Sequence, residues 1–349
     1  MREVSRGTVT RSVIVAVALL ALTTGPFAQQ PPRFGERVEV ARIIIDARVL
    51  DDRGNPIRGL APDDFKVSID GKPARVETAT WVGGSDLVDA EPSRSTPSAG
   101  ADAPAGAGRL IVFLFQKDLE PSRIVGLMRM LLQSRHLLDT LTSNDRIAIL
   151  SFDSHLKIWT DFTNDRARLD RVLARGVLFE RPLPVAASPM PSLVGRLAPE
   201  TGQRTYRIER ALELIGEALE PLPGSKSLVL IGHGFGRFNR DGVTMENDYE
   251  SARQALVASR TSVFSLDVTN ADYHSLEAGL QLVSHQTGGF YARTHIFPDA
   301  AMHRLAGALS GYYVLFVEKP ESRRAVHIMK TELTRRKGNV LATTNISER

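Results

Sequence analysis

Between residues 109 and 318 the chain alternates short apolar runs with amphipathic segments, and this alternation restricts its fold more than any other feature. Residues 110–115 are apolar throughout, as expected of a strand that is buried on both faces of a sheet. Apolar residues at helical spacing follow, among them Ile124, Leu127 and Leu131. Repetition of this strand–helix unit predicts a Rossmann-like α/β fold, a doubly wound, mostly parallel six-stranded sheet with helices on both sides.

The predicted segments can be placed along the chain by their apolar spacing. Strands are predicted at residues 110–115, 147–152, 155–160, 227–231, 262–267 and 312–317. Helices are predicted at residues 124–138, 165–176, 206–219, 249–259, 272–287 and 299–309. Several prolines interrupt residues 177–200, which we interpret as an irregular insertion. In an open α/β sheet the carboxyl ends of the parallel strands form the edge that binds ligands.

The segments on either side of this domain predict a small β-module. Residues 36–82 are rich in β-branched residues and contain a strong hairpin turn at Asp70-Gly71. Residues 319–349 predict two further strands, which we expect to pack with residues 36–82. Residues 83–108 are rich in Gly, Ser, Pro and Ala, a composition that is typical of a flexible linker.

Residues 1–28 have the order of a secretory signal. Arg2, Arg6 and Arg11 precede an apolar run at residues 13–22, and small residues up to Ala28 follow it. This run is about half as long as the roughly 20 apolar residues that a bilayer span needs. We therefore expect cleavage near Ala28, no membrane span in the mature chain, and an exported protein that is periplasmic or extracellular.

The net charge limits which classes of partner the chain can bind, and the absence of cysteine limits how its fold can be stabilised. The formal net charge is +4, and three Arg and one Glu fall within residues 1–28, so the mature chain carries only about +2. This excess is too small to indicate a nucleic-acid partner. The chain has no cysteine, so a large core rather than disulfides must stabilise it. An acidic glycan or a membrane surface is the electrostatic partner that would suit the basic tail, formed by Arg323, Arg324, Lys330, Arg335, Arg336 and Lys337.

The order of the motifs resembles the von Willebrand factor type A domain over residues 109–318. The mature chain resembles the bacterial VWFA-related group, in which a short β-region precedes this domain and a strand pair follows it. The resemblance implies a protein-binding function of the adhesion or scaffold type rather than catalysis. The matching motifs are Val49-Leu50-Asp51-Asp52-Arg53-Gly54, Asp64-Phe65, Asp70-Gly71-Lys72, Asn144-Asp145-Arg146-Ile147, Asp161-Phe162-Thr163, Gly224-Ser225-Lys226-Ser227, Thr287-Gly288-Gly289 and Leu309-Ser310-Gly311-Tyr312-Tyr313.

Family members often hold a divalent cation at a metal-ion-dependent adhesion site (MIDAS). The resemblance places its ligands on an Asp-x-Ser-x-Ser turn after the first strand, a Thr on a second loop and an Asp after the fourth strand. In this chain Gln116 stands at the first position, Asp118 and Glu120 stand at the serine positions, and Thr205 fits the threonine. His233 follows the fourth strand, where no carboxylate is found.

Because an amide and a histidine supply less negative charge than two aspartates, we expect a degenerate, metal-free MIDAS-like site and no other cofactor. The alternative is a metal-dependent adhesion domain, in which Asp118, Glu120 and Thr205 hold Mg²⁺ or Ca²⁺. An exported hydrolase is a third possibility, but no Gly-x-Ser-x-Gly motif supplies its nucleophile.

We predict that another protein binds the loops at the carboxyl edge of the sheet. An apolar anchor at Phe235 or Phe238 would suit the centre of such an interface. The glycines at 232, 234 and 236 do not lead into a helix, so they do not indicate a nucleotide site. The predicted partner-binding residues are Gln116, Asp118, Glu120, Thr205, His233 and Phe235.

Overall fold

The structure is a computed structural model that describes residues 41–83, 108–189, 191–240, 242–320 and 326–347. The predicted signal at 1–28, the start of the predicted β-module at 36–40 and residues 84–107 of the predicted linker lie outside the described residues. All described residues belong to one unit of the fold.

The first four strands belong to the β-module, and two of them, β2 and β3, pair as a hairpin. The strand β2 alternates buried and exposed side chains, as expected when one face of a strand lies on a core. The turn after β2 places Asp70 and Gly71 at φ 53° and 78°, which is the left-handed conformation that a two-residue hairpin turn uses. These strands are β1 (Arg42–Leu50), β2 (Phe65–Ile69), β3 (Lys72–Ala74) and β4 (Val76–Gly83).

The α/β domain is built on a six-stranded sheet, which confirms the predicted fold class. Its strands are β5 (Leu110–Gln116), β6 (Arg146–Phe152), β7 (Leu156–Thr163), β8 (Lys226–Gly232), β11 (Thr261–Asp267) and β12 (Tyr291–Arg293). Their order across the sheet is β12-β11-β8-β5-β6-β7, and only β7 is antiparallel to its neighbour. The strand order reverses between β5 and β8, where a doubly wound sheet opens its binding crevice. A two-stranded hairpin, β9 (Arg237–Asn239) and β10 (Gly242–Thr244), follows β8.

Helices cover both faces of this sheet. Along β5, Ile111 and Phe113 pack into one apolar core, whereas Val112 and Leu114 pack into the core on the opposite face. No helix in the described part of the chain is long and apolar enough to cross a membrane. The helices are α1 (Pro121–Leu138), α2 (Arg166–Arg171), α3 (Val177–Phe179), α4 (Pro199–Gln203), α5 (Ile208–Leu219), α6 (Asp248–Ala258), α7 (Glu277–Thr287) and α8 (Pro298–Leu309).

The sixth strand of the sheet is not the one that we predicted. Residues 312–317 lie in β13 (Gly311–Glu318), which pairs antiparallel with β1 and β4 in the β-module. The three-residue strand β12 takes the sixth position instead and pairs with β11. An apolar run of this length suits a buried strand in either sheet, so periodicity alone could not assign it.

Three C-terminal strands, where two were expected, complete the β-module. They are β14 (Val326–Leu333), β15 (Asn339–Ala342) and β16 (Asn345–Ser347). The module consists of two antiparallel four-stranded sheets with the orders β15-β1-β13-β4 and β16-β14-β2-β3. Ile45, Phe65, Tyr313 and Met329 share the core between them.

Arg48 of β1 joins the module to the amino edge of the parallel sheet. Its guanidinium donates to Ser262 Oγ at 2.6 Å and to Ser227 Oγ at 3.2 Å, and lies 5.3 Å from the ring centroid of Phe264. Burial of this side chain lowers the pKa of Arg48. Arg48 thus connects two neighbouring strands of the α/β domain to the first strand of the module.

Candidate functional site

Gln116, the last residue of β5, bonds through its side-chain amide to the loop that follows β8 at the carboxyl edge of the sheet. The Oε1 atom accepts hydrogen bonds from the backbone N–H groups of His233 at 3.1 Å and Gly234 at 3.2 Å. The Nε2 atom donates to the carbonyl oxygen of Gly234 at 2.8 Å. An ionised aspartate can accept but cannot donate, so it could not make all three bonds. Glutamine is therefore suited to tie β5 directly to the loop after β8.

Asp118 and Glu120 share one counter-charge, Arg123 of α1. Arg123 pairs with Asp118 through Nη1 and lies 3.2 Å from Glu120 Oε2 through Nε. Asp118 also accepts from the N–H of Glu120 at 3.0 Å, and Glu120 accepts from Ser122 Oγ at 2.9 Å. Partial burial raises the pKa of Asp118, but these hydrogen bonds and Arg123 outweigh it and lower the pKa below its usual value. Asp118 is therefore ionised near pH 7, and both side chains lie within ion-pair distance of the same guanidinium.

Thr205 lies in the loop between α4 and α5 and is buried. Its Oγ1 donates to the carbonyl oxygen of Thr201 at 2.7 Å. No hydrogen bond joins Thr205 to Asp118 or Glu120, so the three candidate metal ligands do not form one hydrogen-bonded group.

His233 is largely buried beside Asp118. Its Nε2 atom lies 3.9 Å from Asp118 Oδ2, and its Nδ1 atom is buried without a hydrogen-bond partner. Burial, and secondly the positive charge of Arg123, lower the pKa of His233 to about 4. The imidazole is therefore neutral near pH 7.

Phe235 is wrong as an exposed anchor, because it is only 4% exposed and belongs to the core between the sheet and α5. Its ring lies 6.3 Å from that of Tyr249 between centroids. Gly234 and Gly236, at φ 99° and 126°, turn the loop so that the side chain between them points inward. Phe238, the other predicted anchor, is 63% exposed.

A second polar cluster, which the sequence analysis missed, lies one strand away. Asp267 ends β11, and His274 and Glu277 stand at the entry to α7; their ligand atoms lie within 4.8 Å of one another. His274 Nε2 is 2.7 Å from Asp267 Oδ2, and the Tyr291 hydroxyl lies 2.8 Å from Asp267 and 2.9 Å from Glu277. Arg293 donates to both oxygens of Glu277. Among the described residues this is the only group of three His, Asp or Glu with metal-ligand spacing.

The partners of this cluster show what it does in the fold. Burial raises the pKa of Glu277, but the bonds from Arg293 and Tyr291 outweigh it and lower the pKa below its usual value. Both carboxylates are thus bonded within the protein, and the network fixes α7 and β12 against β11. A carboxylate at the end of an apolar strand, followed by His274 and Glu277 at i,i+3, is the sequence signal for it.

Large apolar side chains are exposed on five of the loops at this edge. These loops follow β5, β8, β11 and β12 or precede α5, and each carries one side chain that is between 63% and 74% exposed. We call these side chains the apolar edge residues: Leu119, Tyr206, Phe238, Tyr273 and Phe297. Sequence reasoning identified only Phe238 among them.

Two backbone hydrogen bonds and one from a helix side chain connect these loops to neighbouring segments. The N–H of Asn270 donates to the carbonyl oxygen of Ser122 at 2.7 Å, and the N–H of Phe235 donates to Leu276 at 3.2 Å. Arg129 of α1 donates to the carbonyl oxygen of His295 at 2.9 Å. The edge is therefore a preformed surface rather than a set of independent loops.

The known proteins to which this chain is similar are solved structures of low sequence identity. No family model and no curated protein matches the chain. Solved structures similar to it include the conserved hypothetical protein BatB from Bacteroides thetaiotaomicron, 16% identical, covering 58% of this chain and 98% of that chain with a TM-score of 0.38. Another is a von Willebrand factor type A protein from Catenulispora acidiphila, 10% identical, covering 82% and 75% with a TM-score of 0.42. The pilus tip protein Mfa5 from Porphyromonas gingivalis is 11% identical over 75% of this chain and 54% of that structure, with a TM-score of 0.39.

The α/β domain is von Willebrand factor type A-like. This description rests on the six-stranded sheet, with its single antiparallel edge strand, and on the ordered motifs of the sequence.

Proposed function

We propose that this chain is an exported protein-binding module that recognises another protein through the carboxyl edge of its parallel sheet. In this proposal binding needs no metal ion or other cofactor, and the module catalyses no reaction. The observation that carries it is that the protein's own side chains already bond to one another at the MIDAS-like position. Gln116 bonds the loop after β8, and Arg123 forms ion pairs with both nearby acids.

The exposed chemistry of the edge supports protein binding. Scattered exposed apolar residues are ordinary on a protein surface, but here one large side chain stands on each of five adjoining loops. Aromatic residues such as Tyr206, Phe238 and Tyr273 are enriched at the centres of protein interfaces. Because the loops are already bonded to one another, binding would cost little additional ordering.

The arrangement of hydroxyl groups supports a non-catalytic module. Ser122 donates to Glu120, and Thr205 donates to the backbone of Thr201. Neither hydroxyl is bonded to His233, whereas a hydroxyl nucleophile needs a base within hydrogen-bond reach.

The proposal can be tested by affinity capture from a native envelope extract of the source bacterium. We expect the wild-type chain to retain a partner equally well in Mg²⁺ and in EDTA. The variant Tyr206→Ser/Tyr273→Ser should lose it, because two apolar contacts are removed. Ile328→Ser is the matched control, since Ile328 is a similarly exposed apolar residue on β14 of the module. Loss of the partner in EDTA, or equal capture by the double variant and the wild type, would refute the proposal.

A further inference from the structure

The hairpin β9–β10 is the most exposed secondary structure at the carboxyl edge. All three side chains of β9, Arg237, Phe238 and Asn239, are exposed, and so is Arg240 at the turn. Among the described residues each strand of the hairpin pairs only with the other, so each has an open outer edge. An open strand edge presents unpaired N–H and C=O groups on which another chain can pair.

The hairpin is anchored firmly at its base. Gly236 has φ 126°, and a Cβ atom at this position would lie 2.5 Å from Val243 Cγ1, so the two strands meet closely there. Asn239 Nδ2 donates to Thr244 Oγ1 at 3.3 Å across the strands. The ribbon thus presents its outer edge in a defined direction, together with the exposed ring of Phe238.

Some charged side chains around the hairpin form ion pairs with described residues and others do not. Arg207 lies 3.7 Å from Glu246 and 3.6 Å from Asp248, and it thereby compensates the acids that follow β10. Arg237 and Arg240 have no ion pair with any described residue, and both are exposed. Asp241, which follows Arg240, lies outside the described residues. Two guanidinium groups that pair with no described residue, one on either side of an exposed aromatic residue in the sequence, favour an anionic partner.

We infer that the hairpin binds an extended acidic segment of the partner protein, which adds as a strand to its open edge. This inference rests on the proposed function and names the chemistry of the partner. Carboxylates of the segment would pair with Arg237 and Arg240, and an apolar side chain between them would cover Phe238. Main-chain pairing supplies affinity in such strand addition, and the alternating side chains supply specificity.

Fluorescence anisotropy on the full chain can test this with three synthetic nonapeptides. The first alternates glutamate with valine, the second has lysine in place of every glutamate, and the third is the acidic peptide with N-methylated alternate amides. We expect the acidic peptide to bind about tenfold more tightly than either of the others. Equal binding of the acidic and basic peptides would overturn the charge assignment. Equal binding of the N-methylated peptide would overturn strand addition.

Reversing the charge of the two hairpin arginines tests the inference from the side of the protein. The variant Arg237→Glu/Arg240→Glu should bind the acidic peptide about tenfold more weakly than the wild type does, and it should bind the basic peptide more tightly. The matched control is Arg168→Glu/Arg171→Glu, which changes the net charge equally at two exposed arginines of α2 and should bind the acidic peptide as the wild type does. Unchanged peptide binding in the hairpin variant would overturn the inference. If capture from the extract still depended on Tyr206 and Tyr273 in that case, the proposed function would stand without it.

Discussion

At the scale of single residues, one amide determines how the carboxyl edge is closed. Gln116 both accepts from and donates to the loop after β8, and in the proposed metal-free edge it takes the place of the electrostatic bridge that a cation would supply between acidic ligands. Arg123 performs the corresponding role for Asp118 and Glu120. The edge is thus held by neutral hydrogen bonds and internal ion pairs.

Truncation of Gln116 should therefore weaken the fold. In Gln116→Ala the N–H groups of His233 and Gly234 lose their buried acceptor, and we expect the free energy of unfolding to fall by about 2 kcal/mol. Gln133→Ala is the control, because Gln133 makes only an exposed bond to Asp299 at 2.8 Å; its cost should stay within about 0.5 kcal/mol. Urea denaturation measures both. Equal stabilities of the two variants would contradict the role assigned to Gln116.

The neutral state of His233 predicts a pH dependence of stability. Its pKa falls from 6.5 to about 4 on folding, so the unfolded chain binds a proton here between those values and the folded chain does not. Its contribution is fully present above about pH 6.5 and is lost as the pH falls towards 4. Between pH 7 and pH 5, His233→Gln should lose about 2 kcal/mol less stability than the wild type. Urea titrations at both pH values test this, with exposed His285→Gln as control; an unchanged pH dependence in His233→Gln would be the contrary result.

At the scale of elements, close contacts between helix backbones decide which positions tolerate a larger side chain. A Cβ atom on Gly216 of α5 would lie 2.8 Å from the Cβ and carbonyl carbon of Ala255 in α6. Alanine normally stabilises a helix interior by about 1 kcal/mol relative to glycine. At this crossing the added methyl must instead push the two helices apart.

We therefore expect Gly216→Ala to destabilise the protein by about 1–2 kcal/mol, measured by urea denaturation. Ser251→Ala, at an exposed position of α6, is the control and should be neutral or slightly stabilising. A Gly216→Ala variant more stable than the wild type would show that the two helices do not pack as closely as described.

The elements also show how far a sequence can predict this fold. The strands β5, β6, β8 and β11 could be predicted because each is an apolar run between turns, and such runs have few alternatives in an α/β domain. The strand β12 has only three residues, too few for a periodic signal. The inward direction of Phe235 depends on the φ angles of two flanking glycines, which sequence patterns do not specify. Site residues could be named from the resemblance, whereas Arg123 as their counter-charge required three-dimensional contacts.

At the scale of the whole molecule, the β-module and the α/β domain are joined in two ways. The chain passes from α8 directly into β13, which lies in the module between β1 and β4. Arg48 of β1 is bonded to Ser227 and Ser262 in the parallel sheet. These connections predict a single cooperative unfolding transition.

The two tryptophans of the chain can test this, since Trp81 lies in β4 of the module and Trp159 lies in β7 of the α/β domain. Fluorescence of Trp81→Phe reports the α/β domain, and that of Trp159→Phe reports the module. Within each variant, the fluorescence midpoint in urea should coincide with the midpoint from far-ultraviolet circular dichroism. Separate midpoints within one variant would mean that the two parts unfold independently.

The central claim, that the carboxyl edge is closed by the protein's own groups and not by a cation, is tested most directly by calorimetric titration of the chain with Mg²⁺, Ca²⁺ and Mn²⁺. The account predicts no saturable binding of any of the three at millimolar concentrations, in the wild type and in Asp118→Ala alike. Millimolar or tighter binding by the wild type that disappears in Asp118→Ala would contradict it.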